Sequence, residues 1–210
     1  MLKTAFNKHS KKILLACAIA ASSAITLPAA YADDYEIDTR GAHAFVQFRI
    51  KHLGYSWLYG RFNEFEGTFT FDETNPAKNA VNVDINVESL DSMHAERDKH
   101  LRGEKFLNTG KFPKAKFVST EYLPTGAGTA DLKGDLTLHG VTKSIVLKVE
   151  HIGGGNDPWG GYRNGFEGKV TIKPADFGMD LVKALGESAS EVELFLSVEG
   201  IRSKALKAKK

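Results

Sequence analysis

Between residues 132 and 149 apolar and polar positions alternate with a period of two. Leu132, Leu136 and Leu138 share one parity with Gly134, while Lys133, Asp135, Thr137 and His139 take the other. After a turn at residues 140–142 the pattern restarts, with Ile145, Leu147 and Val149 on one face and Lys148 and Glu150 on the other. Such alternation is the signature of a strand with one buried face, and two in succession predict an antiparallel hairpin.

The unit recurs along the chain. Ala44, Val46, Phe48 and Ile50 alternate with Gln47, Arg49 and Lys51; Phe65, Gly67, Phe69 and Phe71 with Glu66, Thr68 and Thr70; Val81, Val83, Ile85 and Val87 with Asn82, Asp84, Asn86 and Glu88. Residues 114–122 carry a weaker version through Ala115 and Phe117. Residues 166–172 and 192–198 add two more runs, through Val170 and Ile172 and through Leu194 and Leu196. Eight short strands, each with one wet face, bury their apolar sides most economically by closing into a barrel, with a two-sheet sandwich as the alternative. The fold class predicted is all-β, an eight-stranded antiparallel barrel.

One segment breaks the alternation. Residues 91–107 are mostly good helix formers, with Met93, Arg97 and Leu101 at spacings of four, which predicts a short helix over one barrel end. Pro113 restarts extended chain. Residues 153–165 read as a glycine-rich loop carrying Trp159 and Tyr162, and residues 174–190 as a longer connection with Phe177, Met179 and Leu181.

Residues 1–32 stand apart. Four lysines (Lys3, Lys8, Lys11 and Lys12) precede an apolar run, and Ala30 and Ala32 supply the small residues a signal peptidase reads. Cleavage is expected before Asp33, leaving residues 33–210 as a single exported, periplasmic domain. The rival reading of residues 14–17 as a lipoprotein box ending in Cys17 conflicts with the apolar stretch that follows the cysteine. Removing the four leader lysines from the +2 of the whole chain leaves −2, so no nucleic-acid footprint remains. The only cysteine leaves as well, so the mature chain has neither a disulfide nor a thiolate nucleophile.

Candidate chemistry is sparse. No His-Glu-x-x-His, Gly-x-Ser-x-Gly, P-loop or Gly-rich dinucleotide fingerprint occurs. His94-Ala95-Glu96 has the His-x-Glu form of zinc deaminases without the cysteine pair those sites need. No cofactor and no metal site are expected. Inside the predicted barrel, Gly67, Gly134, Gly168, Ala115 and Ala130 sit at inward parity among bulky side chains. Either these positions relieve bends in a packed barrel, or they leave room for an elongated apolar ligand.

Several segments resemble one family. Residues 43–57 (HAFVQFRIKHLGYSW), 60–62 (GRF), 94–102 (HAERDKHLR), 134–138 with 140–143, and 157–161 (DPWGG) look like the YceI family of periplasmic polyisoprenoid-binding proteins, in the right order over essentially the whole mature chain. The resemblance implies a lipocalin-like barrel holding a long-chain isoprenoid, such as a polyprenyl quinone or its precursor, in its pore. Ser144 departs from the proline the family often places after the Val-Thr-Lys turn.

On parity, the pore lining would be Phe48, Ile50, Phe69, Phe117, Leu136 and Leu138, with Ile145, Leu147, Val170, Leu194 and Leu196. His52 ends the first of these runs at the same parity, and the helix brings Arg97, Asp98 and His100. Of these, His52 and Arg97 are the candidates for touching a polar headgroup, with Arg97 and Asp98 alternatively pinning the helix to the barrel. The reading is a non-enzymatic lipid carrier or store, monomeric or homodimeric, with transient membrane contact. The alternatives are a hydrolase or isomerase of isoprenoid lipids using His52, Arg97, Asp98 or His100, and a stress protein with a packed barrel whose protein partner docks at Trp57 or Trp159.

Overall fold

The computed structural model describes residues 32–203. The expected leader with Cys17, and the lysine-rich residues 204–210, lie outside the described residues. Eleven strands and two short helices follow one another as β1 (Asp33–Ile37), β2 (Phe45–His52), β3 (Ser56–Phe62), β4 (Phe65–Phe71), β5 (Ala80–Asn86), β6 (Leu90–Asp91), α1 (Ala95–Arg102), β7 (Lys114–Gly126), β8 (Thr129–Leu138), β9 (Val141–Asn156), β10 (Tyr162–Ile172), α2 (Leu181–Leu185) and β11 (Val192–Arg202).

Eight of the strands form a closed antiparallel barrel in the order β1, β4, β5, β7, β8, β9, β10, β11, with β11 returning to β1. The alternation explains the closure. Leu132, Leu136 and Leu147 share the inner face and are buried, so no strand is left with an unpartnered apolar side. The hairpin of β8 and β9 turns on two residues, His139 and Gly140, at φ 51° and 76°. Two positive φ values give the turn whose twist matches the strands, and glycine at the second position adopts it without strain. The turn thus lies one residue earlier than the hydrophobic pattern places it.

The strand that closes the ring differs from the one the pattern selects. Both β1 and β2 pair with β11, β1 along Gly200–Arg202 and β2 along Val192–Ser197. The run at residues 44–50 therefore does not close the barrel; it leads through β3 and β6 into a flap extending from one end of β11. The five residues of β1 have only Tyr35 and Ile37 facing inward, too short a run for periodicity to register.

The end of the barrel where β8 meets β9 is capped by helical segments. Phe177 and Met179, buried at 1% and 6% exposure, join Phe117, Leu132, Leu136, Leu147 and Ile172 in one apolar cluster. The connection before β11 therefore supplies the apolar plug. Helix α1 is attached beside it by polar bonds: Ser92 N–H donates to Asp98 Oδ1 at 2.9 Å, and Arg97 Nε donates to Ser92 Oγ at 2.8 Å. Met93, read as part of an apolar helix stripe, precedes the helix and is exposed, because residue 93 turns at φ 65°.

The glycines at 153–155 are strand, not loop. They extend β9 against β10, with Gly154 opposite Asn164. A Cβ at Gly154 would lie 2.2 Å from Asn164 Oδ1, so glycine here lets that buried amide cross the strand.

Candidate functional site

A second apolar cluster, built on Tyr35, Ile37, Ala44, Phe69 and Val83, occupies the barrel near β1 and β4. Its rings interlock. Tyr35 stacks on Phe69 at 4.8 Å, and Phe166 meets Phe69 and Phe71 edge-on at 5.4 and 5.0 Å. His151 packs on Phe71 and Phe166, and its Nε2 shares a 2.8 Å hydrogen bond with Asn164 Oδ1. Asn164 Nδ2 in turn donates to the Tyr35 hydroxyl at 2.7 Å.

Between this aromatic group and the plugged end lies a cavity of about 100 Å³. Val81, Phe117, Leu132, Leu147, Gly168 and Leu196 form much of its wall, so the lining is almost wholly apolar. The polar side chains on it, Asn79 and Tyr122, belong to the half of the barrel away from α1; Thr70 and Glu167 border the cavity by their backbone, their side chains turned outward to Asp34 and Lys169. Burial pushes the Tyr122 phenol up from its ordinary value, so it stays neutral and keeps its proton.

The barrel's charges gather elsewhere. Arg163 Nη1 donates to Asp38 Oδ2 at 2.7 Å and also reaches Glu199, while its Nε donates to Asp157 at 2.9 Å. Burial alone would raise Asp38. Bonds from His43, Arg163 and the Gly41 N–H outweigh it and lower the carboxyl from 3.8 to about 2. Asp38, His43 and Glu199 offer ligand atoms within 4.8 Å of one another, but Arg163 already satisfies both carboxylates. The arrangement is an ion-pair network that ties β1, β10 and β11 to the loop at residues 157–161.

Of the residues singled out from parity, Phe117, Leu136, Leu138, Ile145, Leu147, Val170, Leu194 and Leu196 gather in the first cluster, and Phe69 in the second. Among them, Phe69, Phe117, Leu147 and Leu196 touch the cavity. Phe48 lies on the flap, its ring over Gly60 and 5.8 Å from Phe62, and Ile50 pairs with Leu58 there. His52 is exposed at the end of β2, opposite Ser56. Arg97 is turned onto Ser92. His52 and Arg97 therefore stand at the plugged end, whereas the polar rim of the cavity faces the other.

Parity misses Tyr122 as a cavity residue, while Leu132, Val149 and Phe166 hold the inward parity and line the cavity beyond the expected set. A register shift between Ser119 and Glu121 moves Tyr122 onto the inner face, opposite Leu132. Asn79 sits in a loop, where no periodicity points inward.

Residues 35–200 match the model of the YceI-like domain. A UPF0312 protein of Pseudomonas paraeruginosa is 58% identical over 192 residues, covering 91% of this chain and 98% of the relative. The crystal structure of the Campylobacter jejuni YceI protein superposes with a TM-score of 0.66 at 27% identity, over 74% of this chain and 91% of that one. A polyisoprenoid binding domain from Saccharophagus degradans shares the fold at a TM-score of 0.60 and 16% identity, over 80% of this chain and 98% of its own. With the barrel, the family model and close relatives all covering the same span, the chain belongs to the YceI-like family.

Proposed function

We propose that this protein binds an isoprenoid lipid inside its barrel and carries or stores it in the periplasm without transforming it. The observation that carries the reading is the near-wholly apolar cavity enclosed by the eight-stranded ring, lined by Phe117, Leu132, Leu147 and Leu196. Membership of the YceI-like family and the shared fold of a polyisoprenoid binding domain support the ligand class. The leader-like residues 1–32 support export.

Energetics favour carriage. Burying a five-carbon isoprene unit is worth up to about 4 kcal/mol at ~0.8 kcal/mol per carbon. A few units outweigh the roughly 4 to 15 kcal/mol that association costs. A bilayer buries the same tail as well, so the net pull from a membrane is small and exchange is reversible. The residues an enzymatic reading would use do not converge: His52 and His100 are exposed, while Arg97 and Asp98 are both bonded to Ser92.

Mass spectrometry of an organic extract of the purified protein tests the proposal. Intact prenyl lipid in stoichiometric amount is the expected result. A processed lipid would favour an enzyme, and a lipid-free extract, also after incubation with prenyl lipid vesicles, would favour a packed barrel.

A further inference from the structure

The polar rim of the cavity contains one group with an unmet requirement. Asn79 is 8% exposed, lines the cavity, and its Nδ2 is buried with no hydrogen-bond partner among the described residues. The orientation of the amide is fixed by its other half. Asn79 Oδ1 accepts the Asp72 N–H at 2.7 Å, and only the oxygen can accept there, so the NH₂ must be the unpaired side. The loop holding it is rigidly bonded. Asp72 Oδ1 accepts from the Thr74 and Asn75 N–H groups at 3.0 and 2.9 Å and from the Thr74 hydroxyl at 2.7 Å. The Asn79 N–H closes onto Pro76 O at 3.0 Å. A buried donor held in place without a partner, on the wall of an apolar cavity, is a site prepared for an acceptor.

Resting on the lipid-binding reading above, we propose that Asn79 Nδ2 donates to a carbonyl oxygen of a neutral lipid headgroup, of the quinone class, with Tyr122 on the same wall. The headgroup then lies at the end of the barrel away from α1, His52 and Arg97, and the tail runs inward past Phe117, Leu147 and Leu196. Charge selects a neutral head over a prenyl phosphate. The Thr74 hydroxyl bond, helped by the backbone N–H groups, lowers the Asp72 carboxyl against the opposing effect of burial, so it is ionised beside Asn79. Lys78, the cation of this loop, is paired with Asp72 at 3.4 Å. A phosphate would meet the Asp72 carboxylate and no free cation of the loop.

Equilibrium dialysis with three probes of one short prenyl chain tests this: a prenyl benzoquinone, the matching prenylbenzene, and the prenyl phosphate. Each affinity is referenced to the probe's own water-to-hexadecane partition. The native protein should prefer the quinone to the prenylbenzene by tenfold or more, and the phosphate should bind more weakly than the quinone. Asn79→Asp keeps the acceptor for the Asp72 N–H and removes the donor. It should abolish the preference while leaving prenylbenzene affinity within a factor of two. No preference in the native protein would overturn the assignment without any variant having to fold. So would an undiminished preference in Asn79→Asp, and a phosphate that binds tighter than the quinone would overturn the neutral class. If none of the three probes binds, the lipid-binding reading itself fails and takes this inference with it.

Discussion

Gly168→Leu separates a cavity from a packed interior. Gly168 lies on β10 between Leu196 of β11 and Val149 of β9, and it lines the cavity. A Cβ built there meets nothing closer than Leu196 Cδ1 at 3.4 Å and Leu147 Cδ2 at 3.5 Å, ordinary van der Waals contacts. The added side chain can therefore grow into about 100 Å³ of space. Filling a cavity of that size recovers up to about 2.4 kcal/mol at ~24 cal/mol per Å³. Fixing the leucine rotamer returns roughly 0.5 to 1 kcal/mol of that. The net gain of about 1 to 2 kcal/mol corresponds to a rise in Tm of about 2 to 8 °C for a domain of this size. The same leucine occupies the space the lipid tail would need. The expected outcome is a Tm above that of the parent by thermal denaturation, together with loss of prenyl lipid from the organic extract. A Tm lowered by several degrees would refute the packing argument, and undiminished lipid would show that the ligand does not pass Gly168.

Gly134→Ala should behave in the opposite way although it has the same inward parity. Its Cβ would lie 2.3 Å from Phe117 Cζ and 2.6 Å from the Val118 carbonyl oxygen, which is backbone and cannot yield; a loss of about 1 to 3 kcal/mol, read as a lowered urea midpoint, is expected. Asp38, held at about 2 against an ordinary 3.8, binds fewer protons folded than unfolded, so its contribution is complete above pH ~4 and is lost as the pH falls toward 2. Asp38→Asn should lower stability at neutral pH and flatten the acid limb of a urea-midpoint profile between those values. Arg97→Met, which removes two bonds to Ser92, should cost about 1 to 3 kcal/mol by thermal denaturation and leave quinone affinity unchanged.

How much of this was legible in sequence depends on the range of the interaction. Alternation is a local signal, and it identified strands such as β8 because its apolar residues fall on one face only, and β11 because Phe195 is the one large apolar side chain that interrupts the pattern between Val192 and Val198. It failed at β3, where Trp57, Leu58, Tyr59 and Phe62 put apolar residues on both faces and the period dissolves. It also failed beyond the bulge on β7, because an extra residue inverts every later parity and hid Tyr122. The Arg163 network was invisible for a different reason: its partners Asp38 and Glu199 are 125 and 36 residues away, and only barrel closure brings them together. Asn79 combines both difficulties, since its place on the cavity wall and its unpaired amide exist only once the loop after β4 has folded back.

The volume of the cavity bears on how a long ligand enters. About 100 Å³ is less than the ~150 Å³ of an engineered cavity that takes up benzene, so a polyprenyl chain occupies the barrel only if side chains part. The aromatic cluster on one flank is stapled by the Tyr35, Asn164 and His151 hydrogen bonds, and the plugged end by Phe177 and Met179. The wall between them is made of Leu132, Leu147, Val149 and Leu196, which have no polar tethers and change rotamer at modest cost. Parting them exchanges leucine contacts for isoprene contacts of the same chemical kind, so each unit admitted returns much less than the ~4 kcal/mol it would gain on leaving water. Tail burial is then nearly balanced in the barrel as it is in a bilayer, and the headgroup hydrogen bond at Asn79 decides which lipid the protein retains.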